Sequence, residues 1–168
     1  MQPLFPYTGD MTRKRFDDMG CSVACALNEV GDWWSLLVIK QAMLGTCRFV
    51  DFQNGLGIAK NILCDRLSRL VENGVMTRVN VGEHGTRYEY RLTDKGRDLF
   101  TVVVALRQWS ERWNGKKDSM QLVARESGVP VAPLLVQGAD GGTLSVRDVL
   151  FVEEGEAGEG EPSQEQAG

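Results

Sequence analysis

Hydrophobic residues recur every three or four positions through the first two thirds of the chain, and this spacing is typical of amphipathic helices. The second helical segment, residues 33–44, is apolar nearly all round, which predicts a buried helix. Gly31 and Gly45 follow the first two segments and indicate where those helices end. The segments predicted to be helical are 22–30, 33–44, 48–56 and 59–72, with a fifth, long helix from Thr93 to Trp113.

A different period appears between the fourth and fifth helical segments. Residues 75–81 (VMTRVNV) and 86–92 (TRYEYRL) alternate apolar and polar positions, and GEHG joins them. Alternation predicts strands, and the short connection predicts an antiparallel hairpin. A short helix, a Gly-bearing turn, an amphipathic helix and a hairpin follow each other in a winged helix-turn-helix. The sequence therefore predicts an α+β, mostly α, fold with a DNA-binding domain over 13–115.

The pattern changes again beyond Gly115. Residues 122–152 are rich in Val, Gly and Pro and predict short strands, so we expect a small β-rich extension over 116–152. From Glu153 onward the chain has six Glu and four Gly but no Lys or Arg, a composition that predicts a disordered acidic tail over 153–168. The first residues show no periodicity, and a flexible arm is expected over 1–12.

Charge is distributed unevenly along the chain. The whole sequence has a formal net charge of −4, but residues 11–117 contain 17 Lys and Arg against 12 Asp and Glu, a net of +5. The overall acidic balance is therefore compatible with a nucleic-acid partner for the helical region. No apolar run reaches the roughly 18 residues that span a bilayer, and the start has no apolar segment typical of a secretory signal. A cytoplasmic protein without a membrane partner is expected.

The helix predicted at 59–72 has one apolar and one polar face. In a winged helix-turn-helix it is the recognition helix, whose N-terminal end enters the major groove. Lys and Arg there would neutralise phosphates, and Asn61 can pair with a base edge. A merely solvated face is the alternative for an isolated helix, and the hairpin that follows favours DNA. The residues expected to contact DNA are Arg48, Lys60, Asn61, Cys64, Asp65 and Arg69, with His84 and Arg87 in the hairpin.

Three stretches resemble the HxlR family of bacterial transcriptional regulators, winged helix proteins related to MarR. They are CSVACALNEVGDWWSLLVIKQAMLG, RFVDFQNGLGIAKNILCDRLSRLVENGV and RYEYRLTDKGRDLFTVVVALRQWSERW, and the resemblance covers residues 13–114. Trp33 stands where the family usually has a basic residue, and Cys64 stands where it has Ser, Thr or Ala. A thiol is a weak hydrogen-bond donor, so a phosphate contact at Cys64 would be weakened.

The resemblance implies a homodimer that binds a pseudopalindromic operator in double-stranded DNA. The first and last helices of such proteins form the dimer interface. The apolar stripe of the last helix is large for a domain of this size to bury alone, which agrees with a dimer; the alternative is that the stripe covers the core of the monomer. The residues expected in the interface are Leu27, Leu106, Trp109 and Trp113.

The four cysteines, Cys21, Cys25, Cys47 and Cys64, match no zinc-binding spacing. Cys21 precedes a predicted helix, where the helix dipole favours a thiolate, and Arg13–Arg15 lie just upstream. It matches the cysteine that several HxlR-like proteins use to sense quinones, aldehydes or disulfide stress, and it is the candidate sensor. The alternative is a small residue packed at the dimer interface.

The extension resembles the zinc-ribbon-like tail of some HxlR-type regulators. At the positions of the metal ligands, however, this sequence has Ser127, Gln137 and Asp140 in place of cysteines. The turn glycines Gly128 and Gly141 are retained. A lone carboxylate is not a metal site, so β-structure without a metal or other cofactor is expected.

An enzyme is not expected, because the chain has one His in a predicted turn and neither a Gly-rich phosphate loop nor a dinucleotide fingerprint. A pocket for a small aromatic, quinone or aldehyde effector between the helix-turn-helix core and the dimer helices is a further expectation. Plain core packing is the alternative, and it is preferred for Phe52 and Phe100. The residues that would line the pocket are Trp33, Trp34, Phe52, Phe100 and Trp109.

Two functions are therefore considered. The first is a homodimeric, sequence-specific DNA-binding regulator, expected to be a repressor, whose operator affinity is set by an effector or by modification of Cys21. The second is a winged-helix module that binds protein and not DNA. The cations of the recognition helix and the Arg of the wing favour the first, because phosphate contacts need them.

Overall fold

The computed structural model describes residues 16, 20–83, 85–115 and 119–152. The chain divides into two compact units, Met1–Asn114 and Gly115–Gly168. In its described part the first unit has the mostly helical winged fold that the sequence predicts, with a hairpin between its fourth and fifth helices. Its elements are α1 Ser22–Val30, α2 Trp33–Met43, α3 Phe49–Leu56, α4 Lys60–Glu72, β1 Met76–Asn80, β2 Tyr88–Leu92, α5 Asp94–Asp98 and α6 Phe100–Trp113.

The ends of the helices follow local chemistry. Asp32 precedes α2, and its carboxylate accepts a hydrogen bond from the Ser35 amide at 2.9 Å, which satisfies one of the orphan donors of the first turn. At the C-terminal end of α3, Gly57 adopts a φ of +62°, a left-handed conformation that glycine adopts without a steric penalty. The turn between α3 and α4 is therefore set by the sequence itself.

The core of the first unit holds α4 in place. Side chains from α2, α3, α4 and the base of the hairpin are at most 1% exposed and pack together. Full burial of each such side chain contributes roughly 1.5–3 kcal/mol relative to exposure, so the inner face of α4 is firmly anchored and its outer face is turned to solvent. The most buried members are Val38, Ile39, Phe52, Leu63, Leu67, Leu70, Val75 and Met76.

The hairpin is anchored at its base and exposed toward its tip. Strands β1 and β2 pair in antiparallel register, with Met76 opposite Leu92 at the base and Asn80 opposite Tyr88 at the far end. Met76 is buried, whereas Asn80 and Tyr88 are exposed. The far half of the hairpin is therefore available to a partner as a wing.

The single helix predicted from Thr93 to Trp113 is wrong in one detail, because the structure divides it at Leu99. The ψ angle of Leu99 is −5°, which ends α5, and α6 begins at the next residue. Gly96 of α5 packs closely against the hairpin base, since an added Cβ there would lie 2.2 Å from the Val75 carbonyl oxygen.

Three hydrogen bonds join the end of α4 to the start of α5, and we call this region the junction. The Thr93 hydroxyl donates to the Gly74 carbonyl at 2.6 Å, and the Thr93 amide donates to the Val75 carbonyl at 3.1 Å. The Lys95 ammonium donates to the Asn73 carbonyl at 3.0 Å. The three acceptor carbonyls belong to residues 73–75, which directly follow α4, so the bonds hold the segment between α4 and β1 against the start of α5.

The second unit is built differently from the first. Strand β3 (Val136–Gln137) pairs with β4 (Thr143–Leu144) in an antiparallel arrangement, and a single bridge joins Val123 to Pro130. None of its described residues, 115 and 119–152, is buried. Turns and short strands, rather than a core, dominate this part of the chain.

Some expectations concern parts of the chain that lie outside the described residues. They are the flexible arm over 1–12, the acidic tail over 153–168 and the wing residue His84. Within the described part, no helix is long and apolar enough to cross a membrane.

Candidate nucleic-acid interface

The outer face of α4 presents a polar surface at its N-terminal end. Lys60, Asn61 and Cys64 are all exposed, while Leu63 and Leu67 of the same turns are buried. Ala59 precedes the helix, and no described side chain caps the first amides. Open amides and a cation at a helix N-terminus together favour an anionic partner.

Asp65 and Arg69, also expected to contact DNA, bind each other in the structure. The Arg69 Nε atom lies 3.2 Å from Asp65 Oδ2, and the Arg66 Nη1 atom lies at the same distance from that oxygen. Both members of the Asp65–Arg69 pair remain partly exposed, so they lie beside Lys60 and Asn61 on one surface. A contact of either residue with DNA therefore remains a prediction, and it would have to replace this ion pair.

Arg66 lies on the polar face of α4 in the sequence pattern, but its side chain has a structural role that the pattern did not reveal. Its side chain is only 19% exposed, and its Nε atom lies 3.2 Å from Asp32 Oδ1 as an ion pair rather than a hydrogen bond. Asp32 also accepts the Ser35 hydroxyl. Arg66 therefore ties α4 to the start of α2 and fixes the rotation of the recognition helix, and the Asp-x-x-Ser capping pattern is the sequence signal that points to Asp32.

The wing carries a second group of cations. Arg87 is exposed at the tip end of β2, and the guanidinium of Arg78 stacks over the Tyr88 ring at 4.2 Å, a cation–π contact. The Asn80 side-chain oxygen accepts the amides of Gly82 and Arg87, both at 3.1 Å. The sequence analysis missed Arg78 and Asn80; an Asn next to a turn is the signal that predicts such a bond.

Arg48 lies beside strand β2 of the wing. It precedes α3, and its Nε atom is 3.9 Å from Glu89 Oε1. The hydrogen bond from Arg91 is the largest cause that lowers the pKa of Glu89, and the charges of Arg91 and Arg48 lower that pKa further. The ionised carboxylate thus holds Arg48 near β2.

A different exposed surface runs along α6. Val102, Leu106, Trp109 and Trp113 follow each other at spacings of four, three and four residues, which places them on one face, and Trp109 and Trp113 are 60% and 66% exposed. These two Trp side chains are therefore directed to solvent in the structure rather than enclosed by the core. Val23 and Leu27 of α1 are likewise exposed. Contiguous exposed apolar surface of this kind marks an interaction site.

The five residues expected to line an effector pocket do not meet within the chain. Phe52 is fully buried in the core, whereas Trp33 is 84% exposed. Trp34 packs at the edge of the core, and Trp109 lies on the outer stripe of α6. The aromatic composition did not show these orientations, because helical position decides them. Of the five, only Phe100 lines a cavity of about 750 Å³ that opens beside strand β2.

All four cysteines lie within the described residues, and all are free. Cys21, Cys25 and Cys64 are exposed, and Cys47 is half-buried. Cys21 occupies the position just before α1 and its carbonyl accepts the Cys25 amide at 3.0 Å. It is therefore accessible to reagents at the start of the same helix that exposes Val23 and Leu27.

The turns of the second unit are formed where the sequence places Ser127 and Asp140. Gly128 and Gly141 have φ angles of +67° and +82°, and Asp140 Oδ1 accepts the Gly142 amide at 2.9 Å. The described residues contain no group of three or more His, Cys, Asp or Glu side chains that could hold a metal ion.

Comparison with known proteins identifies relatives of the chain. The sequence profile described as HxlR-like helix-turn-helix matches residues 29–118. The HTH-type transcriptional regulator Rv3095 of Mycobacterium tuberculosis is 36% identical over 132 residues, which cover 77% of this chain and 84% of the relative.

Two solved structures extend this similarity. PA1607, a candidate transcription factor, superposes with a TM-score of 0.75 at 45% identity, and the match covers 82% of this chain and 97% of PA1607. The redox regulator HypR in its reduced form superposes with a TM-score of 0.51 at 26% identity, over 55% of this chain and 92% of HypR.

Proposed function

The chain belongs to the HxlR-like helix-turn-helix family and is a transcriptional regulator of the helix-turn-helix type, and on this premise we propose that it is a homodimeric repressor. Each copy would place α4 in the major groove of one half of a pseudopalindromic operator. The observation that carries the proposal is the exposed start of α4, where Lys60 and Asn61 stand at open helix amides. A bound dimer would exclude polymerase from the promoter.

The contacts divide by chemistry. Lys60, Arg87 and Arg78 present cations that match phosphates, which fix position without reading sequence. Asn61 presents an amide that can bind adenine through two hydrogen bonds, which reads sequence. Cys64 offers only a weak donor between them. Two half-sites read by two such surfaces would lie one DNA turn apart, about 34 Å.

The dimer would form through the apolar stripe of α6 and the exposed side chains of α1. Trp109 and Trp113 each offer a large area that water leaves on association, and aromatic residues of this kind dominate interface energies. Burial of the stripe in a two-fold interface would also bring two copies of α4 to one side of the assembly.

Operator affinity is further proposed to respond to a small aromatic, quinone or aldehyde effector, or to modification of Cys21. Support comes from the exposed thiol at the start of α1 and from the similarity to HypR, a redox regulator. Modification would add bulk to the helix that carries Val23 and Leu27, at the proposed interface.

Salt-dependent DNA binding tests the proposal. The full chain is used to select duplexes from a random pool, and binding is measured by fluorescence anisotropy over a range of salt. Affinity should fall steeply with salt, and Lys60→Ala and Arg87→Ala should each reduce the slope by about one unit while leaving the preferred sequence unchanged. Arg125→Ala, in the second unit, is the matched control and should change nothing.

The same experiment decides between the two functions. If no sequence is enriched and affinity for duplex DNA is independent of salt, the winged helix is a protein-interaction module instead. If both variants bind with the slope of the wild type, the chain contacts DNA through another surface.

A further inference from the structure

A cavity of about 750 Å³ lies apart from the α4 surface, and no residue of α4 lines it. It opens between the end of α2, the loop that leads to α3, strand β2 and the beginning of α6. Its volume falls within the roughly 300–1,000 Å³ typical of small-molecule sites. The lining residues are Ala42, Met43, Gly45, Thr46, Cys47, Glu89, Tyr90, Arg91, Leu92, Arg97 and Phe100.

One side of the cavity is cationic. Arg91 donates to Glu89 Oε2 at 2.9 Å, and Arg97 donates to the Leu92 carbonyl at 2.7 Å and is paired with Asp94 outside the lining. Both guanidinium groups remain more than half exposed. Two cations and one carboxylate therefore line the cavity, and the planar guanidinium fork matches a carboxylate.

Other lining residues are apolar. Met43, Leu92 and Phe100 contribute a thioether, an aliphatic side chain and a ring, and the Phe100 ring is 46% exposed. Exposed aromatic and thioether groups contact a flat ring favourably. The combination of an apolar wall and a cationic edge suits a molecule with one ring and one acidic group.

We propose that this cavity binds a small aromatic carboxylic acid, with the carboxylate on Arg91 and Arg97 and the ring between Met43 and Phe100. The proposal rests on the proposed function in one respect, that the chain regulates transcription in response to an effector. It replaces the aromatic pocket expected from the sequence with one that shares only Phe100.

The cavity adjoins strand β2 of the wing and the loop before α3, so a bound ligand would contact elements that carry the proposed DNA-binding surface. The Tyr90 amide donates to the Cys47 carbonyl at 2.7 Å, so the loop before α3 is joined to the wing strand. Glu89 holds both Arg48 and Arg91. A ligand that takes Arg91 from Glu89 would change the charge balance that orients Arg48 and the wing. A ligand shifts an equilibrium only by binding one arrangement more tightly, and these contacts supply such a difference.

Calorimetric titration of the full chain with benzoate tests the site. Benzoate is expected to bind with a Kd of about 1 mM or tighter, whereas the neutral isostere benzamide and the non-aromatic cyclohexanecarboxylate should each bind at least about tenfold more weakly. Arg97→Gln should weaken benzoate binding by a similar factor. Thr46→Phe, which fills the cavity and keeps every charge, should abolish binding, and Arg125→Gln should have no effect.

Failure of the site and failure of the proposed function give different results. If benzoate does not bind while salt-dependent operator binding is present, the site is overturned and the regulator stands. Equal binding of benzoate and benzamide would overturn the acid as the ligand class, and binding that survives Thr46→Phe would overturn the location. If benzoate binds as expected but does not change operator affinity, the site stands and effector control fails.

Discussion

Helices α4 and α6 are built alike on the inside and differently on the outside. Both direct apolar side chains to the same core: Leu63 and Leu67 of α4 are buried in it, and Val103 of α6 packs against it. The outer face of α4 is polar at its start, with Lys60 and Asn61. The outer face of α6 is apolar, with two of its Trp residues more than half exposed. One fold thus presents two unlike surfaces.

The difference teaches which partner each helix can have. A face that carries cations and amides is stabilised little by packing against an apolar protein surface, but its groups match phosphates and base edges. An apolar aromatic face gains most when water is removed from both sides, as in a two-fold interface between identical subunits. DNA on α4 and a second copy on α6 are therefore the proposed partners, and three predictions test this division.

The largest effect is expected from placing charged side chains on the apolar outer face of α6. Trp109→Glu with Trp113→Glu should yield monomers, because the carboxylates would be buried at the interface. Loss of the second half-site should weaken operator binding by about 10²-fold or more. Analytical ultracentrifugation and gel shifts measure both results.

The matched control places the same charges elsewhere on the same helix. Thr101→Glu with Ala105→Glu changes two exposed residues outside the stripe and should leave dimers that bind DNA. If the Trp double variant still sediments as a dimer, the interface lies on another surface.

A smaller effect is expected at Asn61. Asn61→Ala should cost roughly 1–3 kcal/mol on the preferred duplex and much less on scrambled DNA, because a bidentate base contact is lost. Ser68→Ala, an exposed substitution two turns along α4, is the control and should bind like the wild type. Equal losses on both duplexes would make Asn61 a phosphate contact and move sequence readout to another residue.

The smallest effect on DNA is expected at Cys21. Cys21→Ser should bind the operator like the wild type but no longer release it on exposure to a quinone or aldehyde. Mass spectrometry after brief exposure should show Cys21 labelled before Cys25, Cys47 and Cys64. Earlier labelling of Cys64 would place the response in the recognition helix, where it would act on DNA directly.

Local chemistry made much of the fold predictable. Helix boundaries follow glycines and caps, so α1 starts and ends as predicted and α2 differs from prediction by one residue. The hairpin follows from alternation. The break at Leu99 could not be predicted, because the apolar spacing continues across it. The close packing of Gly96 on Val75, 21 positions earlier in the chain, likewise arises only on folding.

The candidate site was predictable in composition and less so in orientation. The polar start of α4 follows from its sequence, and Lys60 and Asn61 are exposed as the pattern indicates. The inward turn of Arg66 to Asp32 is a tertiary contact. The dispersal of Trp33 and Phe52 has the same origin, since neighbouring helices decide which aromatic side chain is enclosed.

The junction fixes the C-terminal end of α4, and that end can be treated as the pivot of a rigid helix. Thr93 and Lys95 donate hydrogen bonds to backbone carbonyls just beyond the C-terminal end of α4. The helix extends from that pivot over 13 residues, a length of about 20 Å. A rotation of about 10° at the pivot displaces the far end by about 3 Å, the length of one hydrogen bond. Asn61 lies at that far end. Leu63, two residues after Asn61, is fully buried in the core, so the packing around Leu63 opposes such a tilt and holds Asn61 in position.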